Sequence, residues 1–262
     1  MTQQDEQDES NETDEASAWQ LNDRPVATGA RILVTGATGG LGRVVTQTLV
    51  KAGFQVIAVD QSKYQLDRLE ERIDVPERLC GYTADLSNAE DVRILFARIQ
   101  EEQGPLDGVA HLVGGYHGGT SIDETTDEIY DHMLDLNLRS SFLVTREAVR
   151  WLRPRGGGSI VLISSAAALQ GTGAAGASVY AAAKAGVAAL AEAVAAENKT
   201  WGIRVNALLP ALIRTQANVD AMPGAEHYRW VTPEELGETI RFLLSPAASG
   251  ITGALIKASA RL

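Results

Sequence analysis

The sequence predicts an α/β protein: one doubly wound domain, with a parallel sheet of about seven strands and helices on both faces. Three observations predict it. Short runs rich in Val, Ile and Leu alternate with longer helical stretches from about residue 29 onward. A Gly-rich turn stands between the first such strand and the first helix. The length, 262 residues, suits one large domain with its core and is cramped for two.

The strands are read at 31–34, 55–59, 79–83, 108–113, 159–163, 204–209 and 254–257. Helical patterns lie between them at 40–52, 63–72, 88–103, 126–152, 179–199 and 233–244. A strand followed by a helix returns to a parallel neighbour, and strands covered on both faces lose polar alternation. Right-handed crossovers then place ligands at the carboxyl ends of the strands.

Charge divides the chain in two. Eight acidic residues lie between Asp5 and Asp23 with no Lys or Arg among them, so they account for −8 of the net −11. Segment 1–28 is therefore read as an acidic tail with too little apolar surface to offset the entropy of ordering it, and 29–262 as the folded domain. The remainder carries no basic stripe, which argues against nucleic acid as a partner. The apolar runs are strand-length, short of the roughly 18 residues of a membrane span, and the start shows no secretory leader. One cysteine, Cys80, excludes an internal disulfide and a cysteine metal cage; the four histidines have no ligand spacing, so no metal is expected. Cytoplasm is the expected location.

The chemistry begins at Thr35-Gly36-Ala37-Thr38-Gly39-Gly40-Leu41-Gly42. Glycines let the backbone approach a pyrophosphate closely, and the helix N-terminus behind them supplies free N–H groups and a positive dipole end. Asp60 ends the second strand; a carboxylate there accepts bonds from ribose hydroxyls and repels a 2′-phosphate. Gln61 and Ser62 follow it, with no Arg, so NAD(H) is expected over NADP(H). Tyr180 and Lys184 stand four apart in a helical run, on one face, where an ammonium can lower the pKa of a phenol and make it an acid–base group.

Turn, Asp60 and Tyr-x-x-x-Lys, in this order, resemble the short-chain dehydrogenase/reductases, whose domain is the Rossmann fold; the resemblance runs from about residue 29 to 262. It implies further roles. Asp85-Leu86 resembles the adenine-contacting pair, and Val113-Gly114 would border the cofactor. Asn137 resembles the helix Asn that holds a proton-relay water, and Ser165 the substrate-orienting Ser, with Ser164 as the alternative if register slips by one. Pro210, Ile213 and Thr215 resemble the loop that holds the nicotinamide amide. Tyr180 and Lys184 would also contact the nicotinamide ribose. The Ser165–Tyr180 interval is about two residues longer than usual, so a small loop insertion is expected. The resemblance implies a hydride exchanged between nicotinamide and a small carbonyl, alcohol or imine, in a homodimer or homotetramer built on helices near 138–152 and 181–196.

The chain also departs from the pattern. His111-Leu112-Val113-Gly114 replaces an Asn-Asn-Ala-Gly turn, and Leu112 cannot make the bonds Asn would. Ala211 follows Pro210 where Gly is common, and Lys257-Ala258-Ser259-Ala260 replaces an Asp-Gly-Gly. Gly114 to Gly119, with the stretch from Thr215 to Pro233, is similar to quinonoid dihydropteridine reductase-like members; Tyr116 or His117 could stack on a flat heterocycle. Two other classes stay open: a cofactor-binding sensor or scaffold without turnover, and a sugar-nucleotide epimerase or dehydratase.

Overall fold

In the computed structural model, which describes residues 29–169 and 174–261, seven strands form one sheet in the order β3-β2-β1-β4-β5-β6-β7. They are β1 (Arg31–Thr35), β2 (Gln55–Asp60), β3 (Leu79–Thr83), β4 (Gly108–His111), β5 (Gly158–Ile163), β6 (Ile203–Pro210) and β7 (Leu255–Ala258), and every neighbouring pair is parallel. The acidic segment 1–28 lies outside the described residues, as do 170–173, part of the Ser165–Tyr180 interval in which a small loop insertion was expected.

Alternate residues of each strand enter two separate cores. Ile32 and Val34 pack with Val45 and Leu49 of α1 (Gly42–Lys51) and with Leu236 and Ile240 of α8 (Pro233–Leu244). Leu66 and Leu69 of α2 (Lys63–Glu70) join this cluster. Leu33 and Val109 face the other way, onto Phe96 and Ile99 of α3 (Ala89–Gln103), Leu152 of α5 (Ser140–Leu152) and Val187 of α6 (Ser178–Glu197). Burial on both faces is why the strands read as continuous apolar runs. Each fully buried leucine, Leu33 among them, contributes about 2 kcal/mol of transfer free energy. At α8 a capping box sets the start: Thr232 Oγ1 accepts from Glu235 N at 3.1 Å, and the Glu235 carboxylate accepts from Thr232 N at 2.7 Å.

Three expectations are corrected. The strand read at 108–113 ends at His111, because Leu112 to Gly114 already leave the sheet. The helix read at 126–152 is α4 (Asp127–Leu134), a π-helical turn (Asp135–Arg139) and α5. Side chains sustain that turn: Ser140 and Ser141 hydroxyls donate to the Leu136 and Asn137 carbonyls, each at 2.6 Å, and the Asn137 amide donates to Met133 O at 3.0 Å. A one-residue widening leaves the apolar periodicity nearly intact, so the pattern hides it. Finally, α6 is long and apolar enough by length and composition to cross a membrane, where no such segment was expected. Alanines give it that character. Its small side chains instead pack onto β6, and Val187, Ala191 and Ala195 enter the core.

Chain order reverses between β1 and β4, opening a crevice beyond their carboxyl ends. The Gly-rich turn fills one wall of it, and α1 begins where the chain folds back on itself. A Cβ on Gly42 would lie 1.9 Å from the Gly36 carbonyl oxygen, so only glycine fits. Gly42→Ala should therefore destabilise the fold by more than about 2 kcal/mol, read as a lower urea midpoint.

Candidate active site

The crevice is a cleft of about 470 Å³. Gly36, Thr38 and Gly39 line it from the Gly-rich turn, Asp60 from the end of β2, Asp85 and Leu86 from beyond β3, and Val113 and Gly114 from beyond β4. Within the turn, Gly39 N donates to the Gly36 carbonyl at 3.1 Å and Ala37 N to the Val59 carbonyl at 3.2 Å, which holds its shape against the cleft. Gly40, Leu41 and Gly42 shape the turn: the Leu41 side chain is in the core, and Gly40 packs against the Thr215 side chain. Gln61, Ser87, His132 and Asp135 also line the cleft. No sequence pattern marks them, since only the tertiary fold brings them there.

Two carboxylates are held at the rim. Asp60 Oδ2 accepts from Thr38 Oγ1 at 2.6 Å and Thr38 N at 3.3 Å, and its Oδ1 accepts from Gln61 N at 2.9 Å and Ser62 N at 3.3 Å. Asp85 accepts from the Ser87 hydroxyl at 2.7 Å and the Ser87 amide at 2.9 Å. These bonds favour the charged form and hold Asp85 below the usual carboxylate range.

The turn after β4 solves the problem posed by Leu112. Thr35 Oγ1 accepts from Leu112 N at 3.2 Å and meets His111 Nδ1 at 2.8 Å. The other ring nitrogen, Nε2, meets Ser140 Oγ at 3.3 Å. Because the Ser140 proton goes to the Leu136 carbonyl, Nε2 carries the ring proton and donates to Ser140. Nδ1 then accepts from the Thr35 hydroxyl. One tautomer satisfies the chain from Leu112 to the π turn. His111 is buried, and desolvation with the neighbouring Lys184 charge pushes its pKa down to about 3, so the ring is neutral at physiological pH.

Next along the chain, the Asn137 amide clamps Gly115: its Oδ1 accepts from Gly115 N at 3.1 Å, and its Nδ2 donates to Gly115 O at 3.1 Å. The side chain thus bonds both polar groups of the loop residue Gly115. Gly114 lies directly over the clamp, where a Cβ would come within 2.8 Å of both Asn137 Oδ1 and Lys184 Nζ.

Lys184 enters from α6, with its ammonium donating to the Ile163 carbonyl at 2.9 Å. Its side chain is buried, which lowers its pKa from 10.5 to about 8. Tyr180 is one helical turn earlier. Burial raises its phenol pKa, the Ser165 hydroxyl beside it opposes that rise, and Tyr116 adds to it. The expectation that Lys184 pulls this phenol down is corrected: burial dominates while the ammonium is engaged by Ile163. The two serines differ in their surroundings. Ser164 donates to the Lys184 carbonyl at 2.7 Å, whereas Ser165 adjoins the phenol. Of the two aromatics named for stacking, Tyr116 is placed edge-on to Tyr180, with ring centroids 5.0 Å apart at 79°, while His117 bonds Thr120 at 3.1 Å.

The loop after β6 does not line the cleft and meets the Gly-rich turn through Thr215, which packs on Gly40. Pro210 ends the strand, Ile213 bridges to Val231, and Thr215 caps the short α7 (Gln216–Ala221), which the sequence pattern did not reveal. Gly-rich turn, rim carboxylates, Gly114, Lys184, Tyr180 and Ser165 thus share one end of the sheet.

Comparison with known proteins agrees with this arrangement. A family profile described as Enoyl-(Acyl carrier protein) reductase matches residues 36–259. The chain is 33% identical over 258 residues to a 3beta-hydroxysteroid dehydrogenase of Mediterraneibacter gnavus, covering 86% of this chain and 91% of that one. It is 30% identical over 237 residues to a 3-oxoacyl-(acyl-carrier-protein) reductase of Thermotoga maritima, covering 87% and 95%. Among solved structures, a short-chain type dehydrogenase/reductase from Mycobacterium ulcerans superposes with TM-score 0.81 at 29% identity, over 88% of this chain and 89% of that one. An actinorhodin polyketide ketoreductase with NADPH superposes with TM-score 0.82 at 26% identity, over 88% and 95%.

The buried lysine sets a pH dependence. Its folded pKa, about 8, is below the ordinary 10.5, so between those values the unfolded chain holds more protons and stability rises with pH. Below pH 8 both states are charged and the burial cost is complete. Lys184→Met should stabilise the protein at pH 7 by roughly 2 kcal/mol, net of the lost bond to Ile163, and the gain should vanish by about pH 10.5. Melting curves of both proteins across that range check this.

Proposed function

We propose a function from one premise: the chain belongs to the short-chain dehydrogenase/reductase family. It is an oxidoreductase of that family, which uses NAD(P)(H), and our reading is that it exchanges a hydride between nicotinamide and a small carbonyl or alcohol. What supports this is the buried Lys184, whose ammonium adjoins Gly114 at the cleft, with Tyr180 one helical turn before it and the Ser165 hydroxyl near the phenol.

The cleft suits a dinucleotide, with glycine backbone at the pyrophosphate position and carboxylates at the rim. When bound, the nicotinamide supplies or accepts the hydride. In reduction, the carbonyl carbon takes the hydride and its oxygen takes the proton from Tyr180 Oη, while the Ser165 hydroxyl donates a hydrogen bond to that oxygen. Lys184 holds positive charge beside the resulting phenolate. Oxidation reverses each transfer. Asn137 and His111 hold the loop under the reacting groups. With the Leu112 turn satisfied through Thr35 and His111, that turn gives no ground for a silent scaffold.

We favour NAD(H) over NADP(H) because Asp60 puts a carboxylate at the rim, with Gln61 and Ser62 after it. Two of its four bonds are long, at 3.3 Å, and those are the ones a ribose hydroxyl can replace. The reading that an alcohol or carbonyl is the substrate, rather than a pteridine-like imine, is supported by Ser165 and by the dehydrogenase and ketoreductase names of the relatives. The helices α5 and α6 are the faces on which we expect a homodimer or homotetramer.

Tyr180→Phe should reduce turnover by at least 10³-fold or so while NADH still binds, judged by nicotinamide fluorescence; retained turnover rejects the assignment. Titration of the unmodified enzyme should give tighter binding of NADH than of NADPH, and equal or reversed affinity rejects the Asp60 argument.

A further inference from the structure

We propose that the acidic segment between Asp5 and Glu15 docks, within its own chain, in an arginine-lined groove between α1 and α2. The groove, about 310 Å³, is lined by Thr38 and Arg43 on one side and by Tyr64, Gln65, Arg68 and Arg72 on the other. No carboxylate lines it. Gln65 and Arg68 share one face of α2, with Asp67 and Glu70 off it, and Arg72 reaches the groove from the turn just past the helix end at Glu70. Arg68 has a distant partner in Glu71, at 3.8 Å, but the Arg43 and Arg72 guanidiniums have neither ion pair nor hydrogen bond among the described residues. Three like charges facing one groove repel one another unless an anion sits between them.

The occupant follows from charge and reach. Residues 5–15 bring seven carboxylates, and no Lys or Arg occurs before Arg24. The described chain starts at Gly29, whose N–H donates to Gly53 O at 2.9 Å, just past the end of α1. The groove opens at the other end of α1, at Arg43, roughly 15 Å away at 1.5 Å per helical residue. A tether of about 14 residues has a root-mean-square span of about 20 Å, so effective concentration at the groove is near its maximum, in the millimolar range. Many weak ion pairs then suffice.

The groove shares Thr38 with the cleft, and Thr38 donates to Asp60 at 2.6 Å. A docked segment therefore adds negative charge beside the nucleotide rim and opposes an extra phosphate there. That consequence rests on the nucleotide reading above; the docking does not.

The test uses the full chain with a dye on Ser10→Cys in a Cys80→Ser background, followed by steady-state anisotropy. Salt raised from about 20 mM to about 500 mM shortens the screening length several-fold, and anisotropy should fall to that of an unrestrained segment. The triple variant Arg43→Gln, Arg68→Gln, Arg72→Gln should show the low value at every salt. So should Asp5→Asn, Glu6→Gln, Asp8→Asn, Glu9→Gln, which leaves every described residue unchanged. Anisotropy insensitive to salt, unchanged in either variant, or rising with protein concentration as docking between copies would, overturns the proposal. The four-amide variant should also bind adenosine 2′,5′-bisphosphate several-fold more tightly than the parent. If docking is seen and this affinity does not change, the nucleotide consequence fails while the docking stands.

Discussion

The Lys184 ammonium, 4% exposed, donates to the Ile163 carbonyl at 2.9 Å, and much of the site is built around keeping it there. Its position fixes the end of β5 against the middle of α6. The Ser164 hydroxyl doubles the tie by donating to the Lys184 carbonyl. Gly114 has to be glycine because the ammonium and Asn137 Oδ1 fill the space a Cβ would take. Tyr180, one turn earlier, is carried to its place by the same helix. A buried cation costs stability unless well paired, and here it has one carbonyl. The fold bears that cost next to Gly114, a lining residue of the cleft, one helical turn after Tyr180.

Around that charge the chain replaces a missing side chain with a network. Leu112 has no polar side chain, yet its amide is satisfied by Thr35, which in turn binds His111, which binds Ser140, which binds the Leu136 carbonyl within the π turn. The π turn and the departure at Leu112 are thus parts of one solution. The same turn presents Asn137, whose amide grips both polar groups of Gly115. A neutral His111 suits this role, because a second buried charge beside Lys184 would be repelled.

What the sequence revealed follows from what is local. The strands were legible from β-branched runs, and the Gly-rich turn from its place between strand and helix. Asp60 and Tyr180 were legible from their place relative to those elements, while Asp85 and Ser165 were named only through the family resemblance. The π turn was hidden, since one extra residue barely alters helical periodicity. Ser164 and Ser165 could not be separated, because the choice depends on which hydroxyl meets the Lys184 carbonyl. The direction of the Tyr180 shift was misread for the same reason: burial is a tertiary property. Tyr116 was named only as one of two candidates, and its edge-on contact with Tyr180 exists only once Asn137 has fixed the loop.

The central claim is that Lys184 is held buried as an ammonium with a strongly lowered pKa. The chain has five lysines, so 13C labelling at the lysine ε carbon gives a spectrum in which Lys184→Met identifies the resonance directly. A pH titration of that signal measures the claim without reference to turnover. The account predicts a midpoint of about 8. A midpoint near the ordinary 10.5 would contradict it, and with it the picture of a site organised around a buried charge.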